Sequence, residues 1–127
     1  MRYLLDTHAI IWMVEGSSKM PRAVKEIIAS PVNIIGICAI SIWEIAIKLD
    51  IGKLELSISL EELVELLRAK DFLFIQLEDE HLLGLSSLPM MHKDPFDRLL
   101  ISTALAEEMS IITVDENIRK YDVPWVW

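Results

Sequence analysis

Short apolar runs alternate with helical periods along this chain, and no repeat, low-complexity tract or Pro/Gly-rich linker interrupts them. Tyr3-Leu4-Leu5 reads as a buried strand ending at Asp6. A helix follows through about Val14, broken by Glu15-Gly16-Ser17-Ser18. Pro21 is well placed to open a second helix running to about Ala29. Asn33 to Cys38 predicts a second buried strand, and Ala39 to Ile51 a strongly apolar helix stopped by Gly52. Ser59 caps a helix through about Lys70, with Glu62 completing a capping box. Phe72 to Leu77 predicts a third strand, and a short helix lies around Glu80 to Leu85. Pro95 opens a long helix to about Met109. Ile111 to Val114 predicts a fourth strand ending at Asp115, and Val123 to Trp127 a short edge strand.

Strands alternating with helices predict an α/β fold, a parallel sheet of four to five strands covered on both faces. Right-handed crossovers put every strand C-terminus along one edge, and ligands of such sheets bind there. Four acids fall near that edge. Asp6 follows the first strand, Asp115 the fourth, Asp97 lies in the first turn of the Pro95 helix, and Glu44 lies near the start of the apolar helix after the second strand. Clustered carboxylates repel in a low-dielectric cleft unless cations neutralise them. Oxygen ligands without a His or Cys set favour Mg²⁺, with Mn²⁺ as a substitute, over zinc. Such metals activate water for displacement at a phosphodiester.

Each acid also has a plainer reading. Asp6 is a good N-cap, Asp97 suits the positive end of its helix, and Asp115-Glu116-Asn117 is turn-rich. Asp94, before Pro95, is assigned to capping. Glu44 shares a stripe with Ser41 and Lys48 on an otherwise apolar helix. That stripe reads equally as a narrow solvent face and as the wall of a cleft, with Lys48 near a phosphate. Periodicity does not choose between them.

The 127 residues, positions 1–127, predict one domain with a real core. The mean hydropathy of +0.39 predicts some apolar surface covered by a copy of the chain or another protein. The net charge of −8 argues against a broad basic nucleic-acid face. A nucleic acid would meet a local rim drawn from Lys48, Lys53, Lys93 and Arg98, and the sequence leaves open whether Lys48, Asp94 or Asn117 assists the acids. Cys38 alone excludes an internal disulfide and points to the cytoplasm. No stretch is long enough to span a membrane, and no signal peptide is expected. His8, His81 and His92 lack metal-ligand spacing, and His92-Lys93-Asp94 reads as loop or cap chemistry. Trp12, Trp43 and Met90-Met91 read as core or interface, and no phosphate-binding Gly loop or nucleophile elbow is present.

These residues resemble the PIN-domain family, and within it the VapC-like toxins of toxin–antitoxin pairs. The resemblance rests on Leu4-Leu5-Asp6-Thr7-His8-Ala9, on Trp43-Glu44-Ile45-Ala46-Ile47-Lys48 with Gly52-Lys53-Leu54, on Leu88-Pro89 through His92-Lys93-Asp94-Pro95-Phe96-Asp97-Arg98-Leu99-Leu100-Ile101, and on Thr113-Val114-Asp115. The blocks come in the family's order. The resemblance implies a three-layer α/β/α fold, Mg²⁺-dependent RNA cleavage, a homodimer and a cognate antitoxin. It carries the family's acidic quartet onto Asp6, Glu44, Asp97 and Asp115. Lys93 and Val114 stand where relatives often have Arg, which removes a guanidinium near the cleft. Two other readings are a signalling receiver domain and a catalytically silent PIN-like interaction module. A receiver wants paired acids after its first strand and a Lys after its last, and neither is present. An aspartyl phosphatase would want a second Asp two residues after Asp6, where His8 stands.

Overall fold

The computed structural model describes all 127 residues. Five strands form one parallel sheet: β1 (Arg2–Leu5), β2 (Ile34–Cys38), β3 (Leu73–Ile75), β4 (Ser110–Ile112) and β5 (Trp125–Val126), in the order β3-β2-β1-β4-β5. The register is Tyr3 beside Ile35 and Ser110, and Leu4 beside Gly36 and Ile111. The chain builds one half of the sheet outward from β1, then returns to add β4 and β5 on the other side. β1 and β4 therefore flank the point where strand order reverses, the usual binding crevice of open α/β sheets.

Side chains alternate between the two faces of each strand and feed two separate cores. Leu5, Ile35, Ile37 and Ile112 pack under α1 (Thr7–Glu15), α2 (Arg22–Ala29), α3 (Ala39–Asp50) and α4 (Leu60–Arg68). Leu4, Cys38, Ile75 and Ile111 pack under α6 (Pro95–Ala106) and the C-terminal segment, with the short α5 (Asp79–Leu83) beside it. This is the three-layer arrangement. Gly36 lets the second face close: a Cβ there would sit 3.0 Å from the Met109 methyl and 3.3 Å from Leu4.

Several boundaries differ from the sequence reading. Pro21 occupies the N-cap of α2 rather than its first helical position. α6 stops at Ala106, three residues early, because Glu108 takes a left-handed φ of 54° and Met109 folds back, its N–H donating to the Ala104 carbonyl at 2.8 Å while its side chain enters the core. No glycine marks that stop. The Ser59–Glu62 capping box is present on α4, which ends at Arg68. β3 keeps only three of the six expected residues.

Candidate functional site

The C-terminal edge of the sheet carries four acids on four different elements. Asp6 leaves β1 in extended backbone and caps α1. Its Oδ1 accepts from the Ala9 N–H at 2.7 Å, and its Oδ2 accepts from the Thr113 hydroxyl. Capping and presence at the edge are therefore not alternatives: one oxygen does each. Thr113 also accepts the Asp115 N–H at 3.0 Å, so one hydroxyl joins the ends of β1 and β4.

Asp115 does not directly follow the strand, as the sequence suggested. β4 ends at Ile112, and Thr113 continues the ladder through a 3.1 Å bond to the Val126 carbonyl. Asp115 Oδ1 accepts from the N–H groups of Asn117 and Ile118, at 2.8 and 3.1 Å, opening a 3₁₀ turn over Ile118–Lys120. The exposed Asn117 meets the acids only through that backbone N–H, and its side-chain oxygen accepts from Lys120.

On α3 the stripe runs from buried Ser41 and Glu44, 1% and 4% exposed, to a partly exposed Lys48, which overturns the solvent-face reading for the two inner residues. Glu44 accepts from the Thr7 hydroxyl at 2.6 Å and from Lys48 Nζ at 2.6 Å. Thr7, next to Asp6, thus ties α1 to α3. Asp94 caps α6, accepting from Phe96 and Asp97 N–H groups, as its position before Pro95 predicted. Asp97, in the first turn, faces His92, whose Nε2 is 3.0 Å from its Oδ2.

Burial, with crowding by neighbouring acids, favours the protonated form of two carboxyls at this edge, Asp97 and Asp6. Burial pushes the Asp97 carboxyl up to about 6, and the nearby Asp94, Asp115 and Glu44 push the same way against the His92 bond. Burial also raises Asp6, opposed by its Thr113 and Ala9 bonds and by His8, with Asp115 adding to the rise. Lys48 moves up because it donates to Glu44 and lies near Asp94 and Asp97. The cluster thus holds four carboxylates plus Asp94 against one ammonium. An all-oxygen donor set short of positive charge fits a hard divalent cation. Its carboxylates are too spread to enclose an ion unaided, since the one set of three acids and histidines with ligand atoms within 4.8 Å of one another is Glu80, His81 and Glu107. An ion such as Mg²⁺, which keeps several waters, suits an open arrangement.

The proposed basic rim is narrower than expected. Lys53 and Lys93 are exposed, and Lys48 is committed to Glu44. Arg98 leaves the rim altogether: it is 9% exposed and donates to the Pro89 carbonyl and the Tyr121 hydroxyl, both at 2.9 Å. Thr7, Thr113 and His92 were not anticipated as partners of the acids. Their bonds span 37, 107 and 5 residues. Only the last lies within reach of a local pattern. A cavity of about 770 Å³, lined by Met13, Met20, Ile28 and Phe72, includes none of the four acids.

The PIN domain family profile matches residues 3–124. No curated protein matches the chain in sequence. Among solved structures, VapBC2 from Rickettsia felis bound to a DNA fragment from its promoter superposes with a TM-score of 0.75 at 16% identity, covering 100% of this chain and 99% of that one. VapBC-1 from nontypeable Haemophilus influenzae gives 0.71 at 18% identity over 99% and 97%. FitAcB from Neisseria gonorrhoeae gives 0.63 at 17% identity over 98% and 96%. These likenesses show the fold, and the profile match over nearly the whole length shows the family: this chain belongs to the PIN domain family.

Proposed function

We propose that this protein is a divalent-metal-dependent endoribonuclease, the toxin of a toxin–antitoxin pair, with Asp6, Glu44, Asp97 and Asp115 as its metal-binding and catalytic carboxylates. The observation that carries this reading is the convergence of these acids at the sheet's reversal point with one ammonium, Lys48, among them. Mg²⁺, or Mn²⁺ in its place, when bound supplies a water of lowered pKa and positive charge for an in-line displacement.

The chain's own residues hold the geometry. Ala9 and Thr113 fix the Asp6 carboxylate, and Thr7 and Lys48 fix that of Glu44. Lys48 is poised to exchange its bond to Glu44 for a phosphate oxygen of RNA. Exposed Lys53 and Lys93 supply the backbone contacts.

Partners follow from the surface. Trp43, Ile51, Leu82, Leu83, Met90 and Met91 are large apolar side chains between 45% and 73% exposed, which supports a homodimer and an antitoxin contact. A net charge of −8 suits a basic antitoxin segment. The names of the structural neighbours, VapBC and FitAcB, support the toxin role. No helix is long and apolar enough to cross a membrane. A cytoplasmic place follows from the RNA substrate and the single buried Cys38.

The test is RNA cleavage by the purified chain with Mg²⁺, with chelator, and with Asp6→Asn and Asp97→Asn. Cleavage that needs Mg²⁺ and is lost in both variants is expected. Variants that cut as fast as the parent would remove the quartet from the reaction.

A further inference from the structure

Three side chains behind Asp97 form a connected series. Arg98 Nη1 lies 2.9 Å from the Tyr121 hydroxyl, that hydroxyl 2.8 Å from His92 Nδ1, and His92 Nε2 3.0 Å from Asp97 Oδ2. Its inner members are well shielded, with Tyr121 5% and Arg98 9% exposed.

The distances favour one arrangement of donors and acceptors. A guanidinium donates and never accepts. The His92 backbone N–H also donates to the Tyr121 oxygen, at 3.3 Å. That oxygen therefore receives two bonds, and its own hydrogen must go elsewhere. The choices are His92 Nδ1 at 2.8 Å and the His92 carbonyl at 3.5 Å, and the shorter contact wins. With Nδ1 accepting, the neutral ring carries its proton on Nε2 and donates to Asp97.

We infer that His92 is a positioning residue for Asp97, held in its Nε2–H tautomer by Tyr121 and Arg98, and that this series tunes how tightly the carboxylate edge holds a divalent cation. The inference rests on the metal-dependent reading above. The series binds one oxygen of Asp97, fixes the carboxylate plane and leaves Oδ1 free to act as ligand. It also links two acid-bearing segments, because Tyr121 closes the 3₁₀ turn that Asp115 opens. Hydrogen-bonded partners of ligand groups commonly change metal affinity 10–100-fold on mutation. A plainer role exists for the same contacts: Arg98 and Tyr121 anchor the segment from Pro89 to His92 against α6. The two roles differ in what they do to cation binding when the fold is left intact.

Mn²⁺ binding by calorimetry on the full chain, with melting temperatures alongside, separates them. Tyr121→Phe removes one oxygen and keeps the ring. It should weaken Mn²⁺ binding roughly 10-fold or more with little change in melting. His92→Ala should match or exceed that loss. His92→Gln keeps an N–H donor near the Nε2 position, so it should bind better than His92→Ala. Adding Tyr121→Phe to His92→Gln should cost nothing further, since the link is already cut. ¹⁵N spectra of the parent should show His92 protonated on Nε2, and Tyr121→Phe should mix the tautomers. If Tyr121→Phe and His92→Ala bind Mn²⁺ like the parent while Asp97→Asn does not, the positioning role is wrong and the metal site stands. If the parent binds no Mn²⁺, the metal-dependent reading falls and takes this inference with it.

Discussion

Two places in the molecule gather acids around a histidine, and they are opposite in character. Beside α5, Glu80, His81 and Glu107 are close enough to look like a metal cage. Yet His81 is fully buried and both its nitrogens are used: Nδ1 accepts the Glu78 N–H at 3.1 Å, which leaves the proton on Nε2, 2.8 Å from Glu107. A ring fixed in that tautomer has no lone pair directed at the acids. At the sheet edge the acids are less compact, but burial and mutual repulsion raise Asp97 and Asp6, and one lysine answers them. Unanswered charge, rather than compactness, marks the place where an added cation gains most.

The contrast breaks most sharply by mutation of the acids themselves. Asp97→Asn or Asp6→Asn should weaken Mn²⁺ binding at least about 100-fold, beyond what partners of ligands usually cost, while Glu107→Gln leaves the Mn²⁺ isotherm unchanged. If Glu107→Gln abolishes binding instead, the two regions have been assigned the wrong way round. Stability should respond in the reverse pattern. His81→Leu strands the Glu78 N–H and the Glu107 carboxylate and should cost about 1–3 kcal/mol in urea unfolding, with metal binding intact.

A pH series sharpens the contrast further. The Asp97 carboxyl titrates near 6 in the fold against 3.8 when unperturbed. Between those values the native state holds a proton that the unfolded chain has lost. Its stabilising contribution is therefore complete below about pH 4 and disappears as pH rises through about 6. Metal affinity runs the other way: each unit of acidification below about 6 should weaken Mn²⁺ binding by up to about tenfold, and Asp97→Asn should flatten the profile. A parent profile already flat from pH 5 to 7 would show that Asp97 does not hold the cation. The smallest effect belongs to Glu107→Gln, which keeps an acceptor for His81 and should shift stability by less than about 1 kcal/mol.

Sequence reasoning reached the architecture and the positions of the acids because both follow local rules. Apolar runs, the Asp94-Pro95 step and the Ser59–Glu62 box each act within one turn or one strand. The sheet-edge rule then placed Asp6 without any knowledge of its partners. What stayed hidden depends on distant parts of the chain meeting. Nothing near Thr113 announces that its hydroxyl answers Asp6, and nothing near Tyr121 announces His92. The inward turn of Glu44 needed Thr7 on another helix to make burial tolerable. Arg98 looked like a rim residue because charge on a helix usually faces water, and its two acceptors lie on separate loops. The early end of α6 rests on a strained Glu108 that packing of Met109 compensates, and propensity alone does not foresee it.

The bond from Thr113 to Asp6 closes a loop of 107 residues across the middle of the sheet. Loops of that length form slowly and their contacts come late in folding. The first half of the fold, β1 with β2, β3 and the four helices over them, can gather most of its apolar core before β4 arrives to add Ile112. Asp6 and Glu44 already stand near each other in that half, but the acids of the second half join only when β4 docks against β1. A partly folded chain thus carries every acid and no assembled edge, so any chemistry there is withheld until folding is nearly complete.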